Sequence, residues 1–180
     1  MKFLETERFF LSLLTEQHAQ GVYPEWLNDE TVCQGNSHHV FPYSRKGALE
    51  YISGLDGRRD CLVLAVEGKE DGAHVGNVSL NRIDLICRSA EFSILLGGSA
   101  PPGAGFEVAT CIFCHGFKAL NLHRIYCGTF DNNHRMIRLA QKLGMREEGV
   151  RRQAAFKSGE WRDVVEFGLL RDEYWKEGKE

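Results

Sequence analysis

No stretch of this sequence approaches the roughly 20 consecutive apolar residues needed to cross a bilayer. Residues 1–14 also lack the lysine-flanked apolar segment and small-residue cleavage site of a secretion signal. These absences lead to the expectation of a cytoplasmic chain with no membrane partner. An excess of one charge is missing as well: 22 Lys and Arg stand against 25 Asp and Glu, a net charge of −3. That balance offers no general attraction to nucleic acid, so small molecules or limited protein surfaces are the expected partners, and a homodimer stays open. The six cysteines are scattered through mostly apolar surroundings, which suits free, buried thiols in a reducing compartment. Cys111 and Cys114 form a C-x-x-C, but the segment reads as helix interior and no second ligand pair accompanies it. No metal is expected there. Repeats and internal linkers are lacking too. The 180 residues fit one domain, 1–180, burying roughly 70% of its unfolded surface without staples.

What is present is a succession of short elements. Residues 3–14 are strand-like, and Thr15 is placed to cap a helix through Leu27 that Pro24 bends or interrupts. Ser44 caps a helix over 45–53. Apolar, β-prone runs follow at 61–66, 75–83 and 90–96. Ala109, Ile112, Phe113, Gly116, Phe117 and Leu120 recur at helical spacing and give one buried stripe. A strand at 124–130 leads to a helix capped by Asp131 or Asn133 and closed by Gly144. The chain finishes as a hairpin, 149–156 and 161–170, about Ser158-Gly159. One strand–loop–helix–strand crossover among antiparallel-looking strands describes an α/β domain with a mixed sheet.

The loop in that crossover, 97–105, is the most informative segment. Glycines between a strand and a helix expose backbone N–H groups at the positive end of the helix dipole, where a diphosphate binds without charged side chains. A plain turn explains a lone G-x-G equally well. No Lys-Ser or Lys-Thr follows these glycines, which excludes a P-loop, and Val108 stands where a dinucleotide fingerprint needs its third glycine.

Six stretches in order carry a resemblance: HVGNVSL at 74–80, AEFSILLG at 90–97, GAGFE at 103–107, LNLHRI at 120–125, 133–145 ending KLGM, and GEWRD at 159–163. Together they resemble the GNAT superfamily of N-acetyltransferases, in the branch of ribosomal-protein N-terminal and amino-sugar acetyltransferases. The likeness runs from Leu4 to Trp175. It implies an α/β (α+β) GNAT fold: a mixed, mostly antiparallel seven-stranded sheet flanked by helices, with splayed central parallel strands. It also implies acetyl-CoA as co-substrate. The pantetheine arm would pair with the backbone of Ile94, Leu95 and Leu96, and the diphosphate would meet N–H groups of Gly103, Ala104, Gly105 and Phe106. Asn133 matches a residue that contacts the cofactor arm, and Arg135 and Arg138 are placed for the 3′-phosphate or simply solvated.

The chain departs from that pattern at four places. Pro102 stands where Gln or Arg is usual before the glycines, Glu107 where Gly or Ala is usual, and Ala140 where a tyrosine acid is usual. Met136 replaces a common serine one turn earlier. Acetyl transfer needs a neutral amine, a polarised thioester carbonyl and a route for the amine proton. Glu91 matches an acidic position of the branch and is the candidate general base, with pairing to Arg88 as the structural alternative. Backbone N–H groups near 94–96 are the candidate carbonyl polariser. Glu107 reads as structural at the helix start, and Trp161 and Asp163 as fixing the sheet edge near the acceptor mouth. The expected reaction is acetyl transfer to a primary amine of a small molecule, such as an amino sugar, or of a protein N-terminus. The segment 93–97 leans towards the sugar branch. A non-catalytic acyl-CoA-binding or regulatory module is the competing reading.

Overall fold

The structure, a computed structural model, describes residues 1–176. Strands β1 (Lys2–Glu5) and β2 (Phe9–Leu13) form a hairpin. Its turn is closed by Thr6, whose N–H donates to Phe9 O at 2.9 Å and whose Oγ1 accepts the Phe9 N–H at 3.0 Å. One run of apolar residues therefore becomes two strands, and the sheet has eight rather than the expected seven. The polar residues Glu5, Thr6, Glu7 and Arg8 interrupt the apolar residues at this break, and the hydroxyl of Thr6 closes the turn there.

The helix expected over 15–27 is likewise two helices, α1 (Glu16–Gln20) and α2 (Tyr23–Leu27). The break lies at Gly21 and Val22, ahead of Pro24. Pro24 sits in the first turn of α2, where a missing N–H costs no helical hydrogen bond. A short helix α3 (Glu30–Cys33) follows, unforeseen, with Asp29 Oδ1 accepting the N–H groups of Thr31 at 2.7 Å and Val32 at 3.2 Å. Helix α4 (Arg45–Ser53) starts as expected, Ser44 Oγ accepting the Gly47 N–H at 3.0 Å.

Strands β3 (Leu62–Gly68), β4 (His74–Asp84) and β5 (Ser89–Leu96) run antiparallel. Helix α5 (Ala104–Lys118) then crosses over to β6 (Arg124–Phe130), which lies parallel to β5. Helix α6 (His134–Lys142), the hairpin β7 (Arg146–Lys157) and β8 (Glu160–Leu170), and α7 (Arg171–Lys176) complete the described residues. The hairpin turns on Ser158 and Gly159, both at positive φ, the geometry of a tight two-residue turn. Strand order is β1-β2-β3-β4-β5-β6-β8-β7, with β8 inserted between β6 and β7. The α5 stripe of Ala104, Val108, Ile112, Phe113 and Phe117 is fully buried, and Phe113 meets Phe92 of β5 edge-on at 4.9 Å. A second, smaller cluster ties α1, α2 and α4 together through Ala19, Tyr23, Trp26, Leu27, Ala48 and Ile52.

The two parallel strands pair only from Ser89 to Glu91, opposite Arg124 to Tyr126. Beyond that point β5 continues to Leu96 and β6 to Phe130 with no ladder between them. Each strand keeps its other edge occupied: β5 pairs with β4 up to Leu96↔Gly76, and β6 with β8 up to Phe130↔Val164. The sheet therefore forks at Glu91.

Candidate active site

The fork leaves backbone groups facing a gap. Gly97 N–H donates to Val75 O at 2.9 Å, and Leu95 O lies towards Gly76, so Leu95 and Gly97 are turned to β4. Alternation along a strand turns Ile94 and Leu96 to the opposite edge, into the gap. The start of α5 lies against the same strand end. A Cβ on Gly105 would sit 3.4 Å from Leu96 Cδ1, 3.7 Å from Leu139 of α6 and 4.0 Å from Ile94 Cδ1. Gly103 adopts φ +83°, a left-handed conformation that costs glycine nothing, and turns the chain into the helix.

The four loop residues expected to offer N–H groups are not equivalent. Ala104 N–H already donates to Pro101 O at 3.2 Å, and Phe106 N–H to Gly103 O at 3.1 Å. Among the described residues, no acceptor holds the N–H of Gly103 or Gly105. The loop thus presents two free donors rather than four, because its first turn tightens on itself.

On the other side the gap opens into a cleft of about 890 Å³. Its floor is β4 and β5, whose facing residues pair in register: Asn77↔Leu95, Ser79↔Ser93 and Asn81↔Glu91. Asn81 Nδ2 donates to Ser79 Oγ at 2.9 Å and Ser93 Oγ at 3.3 Å, knitting a polar floor. The alternation Asn77-x-Ser79-x-Asn81 within an otherwise apolar strand was the sequence signal for this floor, and the motif reading passed over it. The roof comes from α2, α4 and the segment 35–44, with Tyr23, Tyr43 and Tyr51. The far wall is Gly128, Thr129 and Phe130 of β6 with Arg151, Ala154 and Ala155 of β7.

Glu91 lies on the cleft floor at the fork, its side chain 28% exposed, with Arg82 Nε 3.4 Å from its carboxylate. The partner is Arg82 and not Arg88, whose guanidinium is bound to Asn121 O and Oδ1 at 2.7 and 2.9 Å. Other cleft groups are held neutral. Burial, then Tyr51 and Tyr43, pushes the Tyr23 phenol far above its ordinary value, and burial raises Tyr51 as well. Burial, then Lys157, pushes the His38 imidazole down, and its Nδ1 shares a hydrogen bond with Tyr43 Oη at 2.9 Å. Among the described residues lining the cleft, Glu91 is the single carboxylate and Arg151 the single cation, the latter engaged with Glu166 at 2.6 Å.

Ile94 and Leu95 line this cleft with Glu91, whereas Leu96 and Gly103, Ala104, Gly105 and Phe106 stand beyond the gap. Asn133 lies elsewhere, in a cavity of about 300 Å³ with Arg135 and Arg138. Its side chain caps α6 by accepting the Met136 N–H at 3.2 Å, and donates to Thr129 Oγ1 at 3.0 Å and Gly35 O at 3.1 Å. Both amide hydrogens are spent, leaving one Oδ1 lone pair. Asp163 accepts the Gln153 N–H at 2.7 Å, fixing the irregularity in β7 beside the cleft wall. Ala140 is fully buried. Cys111 and Cys114 lie half-buried within α5, and burial, then Cys114 and Glu107, pushes the Cys111 thiol up to about 11. A thiol so raised is a poor thiolate source, as packing rather than redox chemistry requires.

Against known proteins, residues 8–146 match the acetyltransferase (GNAT) domain family. An uncharacterised N-acetyltransferase of Bacillus subtilis, YoaA, is 24% identical over 170 residues, covering 93% of this chain and 96% of the relative. The spermidine N(1)-acetyltransferase of Escherichia coli K12 is 29% identical over 110 residues, 61% of this chain and 59% of the relative. Among solved structures, the spermidine N-acetyltransferase of Vibrio cholerae in complex with CoA and spermine superposes with a TM-score of 0.83 at 23% identity, covering 93% of this chain and 98% of that one.

Proposed function

The chain belongs to the acetyltransferase (GNAT) domain family, and from that premise we propose that it transfers the acetyl group of acetyl-CoA to a primary amine seated in the cleft. The observation that carries this reading is the fork at Glu91. It is a gap with backbone donors on one strand, a glycine-led helix start at its end and a half-open cleft with a polar floor opening from it. These groups fit an elongated molecule that ends in a diphosphate: amides pair with the Ile94 and Leu96 edge, and phosphate meets the N–H groups of Gly103 and Gly105. The free Oδ1 lone pair of Asn133 is available to an amide N–H of the same arm.

Acetyl-CoA supplies the activated thioester. The protein's part is to hold an amine beside it, polarise the carbonyl through a strand N–H and remove a proton. The new N–C bond forms as the C–S bond breaks, and the thiol leaves with a proton from solvent, since Ala140 and Met136 offer none. Glu91 lies three residues before Ile94, about 10 Å along a strand. At that distance it takes the amine proton through bridging water rather than by contact.

The cleft favours one amine on a neutral, polar body. Spermidine is a polycation, and a site for it needs several carboxylates; here Glu91 stands alone, already facing Arg82, with Arg151 on the opposite wall. Hydroxyls, amides and neutral phenols suit an amino sugar first and a peptide N-terminus second. Thiol release from acetyl-CoA, measured across hexosamines, short peptides and spermidine, tests this. A hexosamine is expected to exceed spermidine in kcat/KM by at least tenfold. Spermidine as best acceptor would overturn the substrate class. Tight CoA binding without thiol release for any amine would favour a non-catalytic module.

A further inference from the structure

The phosphate loop lacks the donor that Pro102 displaces, yet a cation reaches it from the opposite end of the chain. Arg8, in the β1–β2 turn, lies against the loop through four atoms. Its backbone N–H donates to Glu107 Oε1 at 2.8 Å, Nε to Glu107 Oε2 at 2.7 Å and Nη1 to Pro102 O at 3.2 Å. The remaining nitrogen, Nη2, lies 3.3 Å from where a Cβ on Gly103 would stand, and no acceptor holds it among the described residues. The Arg8 side chain is 43% exposed, so it stands open to a ligand at the loop's edge.

Resting on the acetyl-CoA reading above, we propose that Arg8 is a diphosphate-binding residue, supplying across the fold the donor that the loop itself lost at Pro102. The geometry divides the guanidinium's work. The Nε edge is spent on Glu107, which fixes the plane of the fork, and the Nη2 edge is left for phosphate oxygens. Glu107 thereby acquires a reason for its place. A carboxylate in the first turn of α5 suits the helix dipole but repels a diphosphate, and Arg8 neutralises it. Burial pushes the Glu107 carboxyl up, but hydrogen bonds from Thr6 and Arg8 outweigh it and hold the group below the ordinary carboxylate range. Pro102 keeps a part in the same scheme, since its carbonyl accepts the Nη1 N–H at 3.2 Å.

The experiment compares the parent with Arg8→Ala and Arg8→Lys, using CoA by calorimetry at two salt concentrations and kcat/KM for acetyl-CoA and S-acetylpantetheine. S-acetylpantetheine lacks the diphosphate. Arg8→Ala is expected to weaken CoA by about 10- to 100-fold, the usual weight of a hydrogen bond to a charged group. It should also flatten the salt dependence of CoA binding and leave kcat/KM for S-acetylpantetheine within about twofold of the parent. Arg8→Lys, which keeps the charge and the turn, should recover part of the CoA affinity. Unchanged CoA affinity, or equal losses with both thioesters, overturns the proposal, the second outcome marking Arg8 as a staple of the fold. Should Arg8→Ala fail to fold, Arg8→Lys decides alone: losses confined to acetyl-CoA support the contact, and equal losses overturn it. A parent protein that binds no CoA refutes the cofactor reading itself, and Arg8's role with it.

Discussion

Glu91 is the residue at which the ladder between β5 and β6 stops, and it is also the carboxylate of the cleft. A group at a fork needs no conformational change to face both the acceptor and the gap, which suits a proton acceptor. Glu91→Gln keeps the shape and removes the basicity. Turnover is expected to fall by about 100-fold or more, the lower end of what positioned acid–base groups contribute, while CoA affinity by calorimetry stays within twofold. The deficit should narrow as pH rises, because more of the acceptor amine is then neutral before it binds. A variant turning over at nearly the parent rate would leave catalysis to positioning alone. At this scale the sequence was only partly legible. Glu91 was singled out by its match to an acidic position of the family branch, at the start of a strand, but its partner could not be. Arg82 reaches it because β4 is irregular between Asn81 and Asp84, a kink that periodicity does not encode. Arg8 carried no signal of its own in the sequence, since the role proposed for it depends on contacts with Pro102 and Glu107, 94 and 99 positions away.

Among the elements, α5 was the easiest to read and does most for the site. Its stripe from Ala109 to Leu120 was read from helical spacing; the structure buries its members from Ala109 to Phe117 against the sheet, while Leu120 lies past the helix end and is half-buried. Phe113 fills the space between Phe92 of β5 and Phe117 on its own helix, edge-on to both at 4.9 and 6.4 Å. Phe113→Ala should cost about 3–5 kcal/mol by the usual scale for a buried aromatic, read from the shift of a urea midpoint. A loss under about 1 kcal/mol would mean that the neighbours collapse into the space and that α5 holds its register otherwise. The β1–β2 hairpin and the helices over the cleft were harder to read. In the first, the polar run Glu5 to Arg8 is short and was passed over, and Thr6 binds back to Phe9 there; in the second, the Gly21-Val22 corner makes the break. Turns made by one hydroxyl or one backbone angle carry little compositional weight, and the cleft roof is built from such turns.

The whole molecule is two part-sheets, five strands and three, joined by the short β5–β6 ladder and by α5 across it. Local stability in proteins follows such divisions, and segments with few paired amides open at free energies well below global unfolding. The amides of Ile94 and Leu96 face a gap, while Leu64 and Val66 in β3 are paired to neighbours on both edges. Hydrogen exchange should find the first pair fast and the second slow in the free protein. Saturating CoA should slow Ile94 and Leu96 by far more than it slows 64–66, and added protection confined to other segments would move the cofactor arm away from β5. The fork thus amounts to a sheet left one strand short. The chain folds to a state in which the β5–β6 seam stays open beyond Glu91, and on the proposed reading the arm of acetyl-CoA takes the place of the missing pairing. On that reading cofactor entry fills this gap and its exit reopens it, so the rate at which the gap empties can set the pace of product release.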